Sequence, residues 1–103
     1  MNVSHVKDLL KERSELELNN PKLYDYWTAF TELLSRDIDQ TIEFLDSCTE
    51  EEIYWLSEVF EDISYKVNSR AFIDCLKRLE NKYPNIDLAD DIKSAEDCID
   101  ENG

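Results

Sequence analysis

The sequence predicts an all-α protein: a compact bundle of about six short helices joined as antiparallel hairpins. Three observations lead there. Apolar residues recur three and four apart, as in "LYDYWTAFTELL", where Leu23, Tyr26, Trp27, Phe30, Leu33 and Leu34 share one face. Among 103 residues there is one glycine, Gly103, and two prolines, whereas sheets usually need glycine in their tight turns. Capping pairs stand ahead of apolar stripes, Asp37 with Gln40 and Thr49 with Glu52.

The elements follow in order. A first helix over about Ser4 to Leu18 is weakly amphipathic, with Val6, Leu9, Leu10 and Leu16, and the segment 1–20 is expected to pack loosely. "NNP" breaks it, and Pro21 suits the first turn of the "LYDYWTAFTELL" helix. Asp37 opens a third helix burying Ile38, Ile42 and Leu45, and Thr49 opens a fourth, continuous to Lys66. After "NSR", a fifth runs from Arg70 to about Lys82, burying Phe72, Cys75, Leu76, Leu79 and Tyr83, and stops before Pro84. Asp87 caps a sixth that aligns Leu88, Ile92, Ala95 and Ile99, and the tail 100–103 frays. Loops this short make neighbouring helices into hairpins, either closed into a bundle or stacked as a short solenoid. The length suits one domain with one core, and eleven aromatic residues set the chain apart from disordered acidic sequences.

A net charge of −14 disfavours nucleic acid and anionic membrane as partners and favours a basic protein surface. The charge is unevenly placed. Ten acids and no bases lie between Asp37 and Tyr65, and seven acids with Lys93 alone lie between Asp87 and Glu101. On an unbroken fourth helix, Ile53, Leu56, Val59, Phe60, Ile63 and Val67 point inward. Tyr54, Glu58, Glu61 and Tyr65 then fall at i, i+4, i+7 and i+11 on the outside, with Asp62 beside them. Asp39, Glu43 and Asp46 make the same stripe on the third helix, and a hairpin of the two helices would merge them. Such like-charge spacing costs roughly a few tenths of a kcal/mol per pair. The simple alternative is a solvated acidic face, but outward tyrosines are unnecessary there and are enriched at interface hot spots.

Catalytic chemistry finds little footing. His5 is the one histidine, so no histidine-based acid–base pair or metal triad can be assembled. One glycine precludes a glycine-rich phosphate loop, and "DIDQTIEFLD" lacks the turn glycine and closing glutamate of a calcium loop. Carboxylates are so numerous that a glycosidase-like pair carries no specificity. Cys48, Cys75 and Cys98 read as thiols of a reducing cytosol, with Cys75 in the core rather than a nucleophile. The segment "MNVSHVKDLLKERSELEL" has no apolar signal core, and a cytoplasmic protein is expected, without cofactor or metal and not an enzyme.

From Cys48 to Ile99, the "EEEIYWLSEVFEDIS" helix, the "SRAFIDCLKRL" helix, "KYPNIDL" and a short acidic helix resemble small immunity proteins. These are encoded beside bacterial polymorphic toxins, in contact-dependent growth inhibition systems in particular. The resemblance covers about half of the chain, and "YDYWTAFTELL" fits the same pattern. It implies a cytosolic inhibitor that binds the C-terminal domain of a cognate toxin, in many such systems a nuclease. The expected assembly is a one-to-one heterodimer with a basic toxin surface, without direct contact to nucleic acid or membrane. The residues expected to dock come from charge and helix geometry instead: Tyr54, Glu58, Glu61, Asp62 and Tyr65, assisted by Asp39, Glu43 and Asp46. A second reading is an acidic helical adaptor, or nucleic-acid mimic, that docks on a basic host protein.

Overall fold

A computed structural model describes residues 1–99, and the tail expected to fray lies outside them. The helices are α1 (Val3–Ser14), α2 (Leu23–Leu34), α3 (Ile38–Ser47), α4 (Glu50–Leu56), α5 (Phe60–Val67), α6 (Arg70–Lys82) and α7 (Ala89–Asp97). No strand occurs among the described residues. The six expected rods are present, but the fourth is jointed: a 3-10 turn, Ser57–Val59, separates α4 from α5. At the joint the Ser57 hydroxyl donates to the Tyr54 carbonyl at 2.6 Å, a local bond that competes with the helical ladder.

The capping signals do what their chemistry demands. The Asp37 carboxylate accepts from the Gln40 N–H, and Thr49 and Glu52 form a full capping box. Ser69 caps α6 through the Phe72 N–H. Asn68 ends α5 at φ 45°, a left-handed position that asparagine tolerates better than most residues. Asp87 takes the Ala89 N–H at 3.4 Å, although the helix itself starts two residues later.

The jointed rod is the axis of the molecule. Ile53, Leu56, Val59, Phe60 and Ile63 are all fully buried along it. Helices α1 and α2 pack against one flank, α7 lies along α5, and α6 joins α7 to α3. Contacts such as α1–α4, α3–α6 and α5–α7 skip over intervening elements, whereas a solenoid repeat touches only its neighbours. The chain therefore closes into a bundle, with a Cα radius of gyration of 12.9 Å. The closest helix pair, α5 and α7, meets at small residues, where the Ser64 hydroxyl donates to the Ala95 carbonyl at 2.6 Å.

The first helix is shorter and better anchored than its weak amphipathicity predicts. It ends at Ser14, leaving Leu18 exposed, and it buries Val6, Leu10 and Arg13. Arg13 is 0% exposed. Its guanidinium donates to both Glu58 carboxylate oxygens, from Nε at 2.7 Å and Nη2 at 2.6 Å, and from Nη1 to the Leu16 carbonyl at 3.1 Å. Its central carbon, Cζ, lies over the Trp55 ring at 4.5 Å from the ring centre. The Trp27 indole N–H adds a third bond to Glu58 at 3.2 Å. Four elements, α1, α2, α4 and the 3-10 turn, thus meet at one charge pair. Lys7 strengthens the α1–α4 seam by pairing with Glu52 at 2.8 Å. Burial pushes the Glu52 carboxyl up, but bonds from Lys7 and Thr49 outweigh it and hold its pKa below the usual value.

Replacing Arg13 leaves a carboxylate in the interior without its counter-charge, and such losses cost about 3–5 kcal/mol. Arg13→Met is expected to lower stability by about 3 kcal/mol in urea unfolding, because Glu58 keeps some access to water. Arg13→Met combined with Glu58→Gln removes both charges and is expected to recover at least half of that loss. Equal stability of the single and double variants would show that the charge pair is not what holds the joint.

Candidate functional site

The eight residues expected to dock do not form one stripe. Helix α3 has α6 as its main partner, and α6 pairs with one of the three α3 acids, which stays about half exposed. Asp46 pairs with Arg78 at 3.2 Å and lies 3.7 Å from the Cys75 thiol, and Lys82 donates to the Asp46 carbonyl. Asp39 and Glu43 are exposed on the same helix. The cations Arg78 and Lys82 of α6 face α3 through these bonds.

Glu58 is a correction. A straight helix would display it beside Tyr54 and Glu61, but the 3-10 turn breaks that register and Glu58 turns toward Arg13 and Trp27. Its side chain is 21% exposed. No cation within the 37–65 stretch could have announced this. The partner comes from α1, 45 residues away in sequence.

Glu61 and Asp62 remain exposed in the first turn of α5, where negative charge also suits the helix dipole. The acids that join them come from the approach to α7 rather than from α3. Asp91 has its pKa raised first by burial and then by the fields of Asp90, Asp87, Glu58 and Glu61. The Cys98 thiol is likewise raised by burial, then by Glu61, Asp97 and Asp62. An acidic belt therefore crosses the α5–α7 seam, and Glu61, Asp62, Asp90 and Asp91 have no ion-pair partner among the described residues. Of the nearby cations, Lys77 and Arg70 both reach Glu96 and Lys93 pairs with Asp97, while Lys66 lies one turn from Asp62.

Each end of the belt meets an exposed tyrosine. Asp87 shares a shallow depression of about 680 Å³ with Tyr54, Glu50, Glu51 and Ile86. Tyr54 is 53% exposed, its ring edge-on to Trp55 at 4.9 Å. Asp62 lines a second depression with Tyr65, which is 78% exposed, together with Tyr24 and Trp27 of α2. Tyr24, Trp27, Asp87, Asp90 and Asp91 were absent from the expected surface. The charge run from Asp87 onward signalled the three aspartates, whereas nothing local tied the α2 aromatics to α5.

No protein-family model, curated protein or solved structure matches the chain. Among the described residues no group of three or more histidine, cysteine or acidic side chains is placed to hold a metal ion. No described helix is long and apolar enough to cross a membrane. Cys48 and Cys75 are buried, which pushes both thiols up to about 12, far from the thiolate state that nucleophilic chemistry requires.

The belt has an energetic signature. A carboxyl whose pKa is raised by folding favours the native state when protonated, and that contribution is lost as pH rises through the raised value. At neutral pH the ionised Asp91 is therefore a cost to the fold. Asp91→Asn is expected to raise the urea midpoint at pH 7, with the gain vanishing below roughly pH 3, where the wild-type carboxyl is protonated in both states. A midpoint unchanged at pH 7 would mean that the belt charges do not repel one another measurably.

Proposed function

We propose that the chain is an immunity protein that binds and neutralises a cognate toxin domain, a nuclease, in the cytosol. The observation that supports this most directly is the belt itself. Glu61 converges with Asp87, Asp90 and Asp91, with Asp62 beside it, and none of the five has a counter-ion among the described residues, at a cost to stability that solubility alone does not require. The complement of such a surface is a concentrated positive one. A nuclease carries that charge because it grips a polyanionic backbone. The belt would draw the toxin in by electrostatic steering, and Tyr54 and Tyr65 at its ends would supply the apolar contact that slows release. The resemblance of the Cys48–Ile99 stretch to immunity proteins points the same way.

In this reading the docking residues are Glu61, Asp62, Asp87, Asp90, Asp91, Tyr54 and Tyr65. Glu58 supports the surface from beneath, and Asp46 serves the α3–α6 seam. The partner would bind one to one, since one belt crosses the chain.

Co-expression with the toxin domain encoded by the neighbouring gene tests the function: cells should survive with this protein and die without it. Equal killing in both cases rejects the reading, and a host protein captured from toxin-free cells would favour an adaptor. The surface has a separate test in association kinetics. Reversing Glu61, Asp62 and Asp90 to lysine should slow association at least tenfold at low salt and flatten its dependence on ionic strength. Asp39→Lys should leave both nearly unchanged.

A further inference from the structure

The groove between α2 and α5 is aromatic rather than merely acidic. It measures about 440 Å³ and is lined by Tyr24, Trp27, Thr31, Asp62, Tyr65 and Lys66, among others. Tyr24 and Tyr65 are 69% and 78% exposed, from different helices, so two of the three strongly exposed tyrosines face one groove. Tyr24 and Trp27 meet edge to face at 5.3 Å with an interplanar angle of 82°. The Trp27 indole is already held by its bond to Glu58, which is in turn clamped by Arg13. One wall of the groove is therefore pre-ordered, and binding there avoids much of the ordering cost.

We propose that this groove seats one arginine side chain of the protein partner. Its guanidinium would stack against the Trp27 and tyrosine rings and place its charge beside Asp62. The proposal rests on the toxin-binding reading above and names the residue type that the partner presents at one end of the belt. Charge complementarity selects the occupant. Asp62 has no hydrogen bond or ion pair among the described residues, and the groove opens beside the belt, where Glu61 and Asp62 set the field. Arginine fits better than lysine because its planar, weakly hydrated cation stacks on aromatic faces while donating to a carboxylate. The chain already binds one guanidinium this way, with Arg13 between the Trp55 ring and the Glu58 carboxylate. Lys66, one turn beyond Asp62 on the groove rim, opposes the incoming cation, so the attraction must come from Asp62, Glu61 and the ring faces.

The probe is an end-blocked glycine pentapeptide with one central arginine, compared with versions carrying lysine or citrulline. Titration is followed through backbone amide and tryptophan indole resonances. The arginine peptide is expected to shift Thr28, Thr31, Tyr65 and the Trp27 indole saturably. Lysine should bind several-fold more weakly, and citrulline, which keeps the shape without the charge, should not bind. Tyr24→Ala, Tyr65→Ala and Asp62→Asn, all at exposed positions, should each weaken the arginine peptide about three- to tenfold, and Lys66→Ala should tighten it. Absent saturation, equal binding of citrulline, or shifts confined to Asp90 and Asp91 overturns the proposal. The two readings fail separately. Neutralised toxin with no peptide in the groove removes the arginine seat and keeps the function, and a bound peptide with no neutralisation does the reverse.

Discussion

Arg13 brings a permanent positive charge to a place with no access to water, and the bundle is arranged around the need to satisfy it. Its fork meets both oxygens of Glu58, its third nitrogen meets the Leu16 carbonyl just past the end of its own helix, and its face meets Trp55. Glu58 can reach it because the fourth rod is broken at Ser57–Val59. Trp27 in turn is pinned to Glu58, which fixes how α2 lies against the rod. Apolar area supplies most of the driving force for collapse, but it is non-directional. The bidentate charge pair adds a fixed direction to the packing that apolar burial alone lacks.

The same constraint shapes the outer surface. By drawing Glu58 inward, it divides the tyrosines of the fourth rod into two settings. Tyr54 stands with Glu50, Glu51 and Asp87 at the α6–α7 loop, and Tyr65 stands with Asp62 and the α2 aromatics. Between them, α5 and α7 approach closely at Ser64 and Ala95 and bring two separate acidic segments of the chain edge to edge. The proposed binding surface for a basic protein is thus built from pieces that are far apart in sequence. The small residues at the seam matter as much to it as the carboxylates do.

The distribution of cations completes the picture. Basic residues are few, and several of them hold helices together: Lys7 and Arg13 across α1–α4, Arg78 and Lys82 across α3–α6, Lys77 across α6–α7. Structural pairs have absorbed much of the positive charge, although Lys66 stays beside Asp62. The carboxylates left over at the α5–α7 belt outnumber it and leave a net negative field, which is the physical basis for both the proposed partner and its steering.

Much of this was legible in the residues alone. The periodicity of Leu23, Phe30 and Leu34, of Ile53, Leu56, Phe60 and Ile63, and of Phe72, Leu76 and Leu79 determined an all-α fold and most of its core, because a helix's inward face is a local property. The capping pairs at Asp37 and Thr49 marked helix starts for the same reason. The exposure of Tyr54, Glu61, Asp62 and Tyr65 was also local. The inward turn of Glu58, the pairing of Asp46 with Arg78, the meeting of Glu61 with Asp91 and the groove shared by Tyr65 with Tyr24 and Trp27 were decided by tertiary structure. Each depends on a partner that only folding brings near, and a charge or an aromatic ring acts through space rather than along the chain.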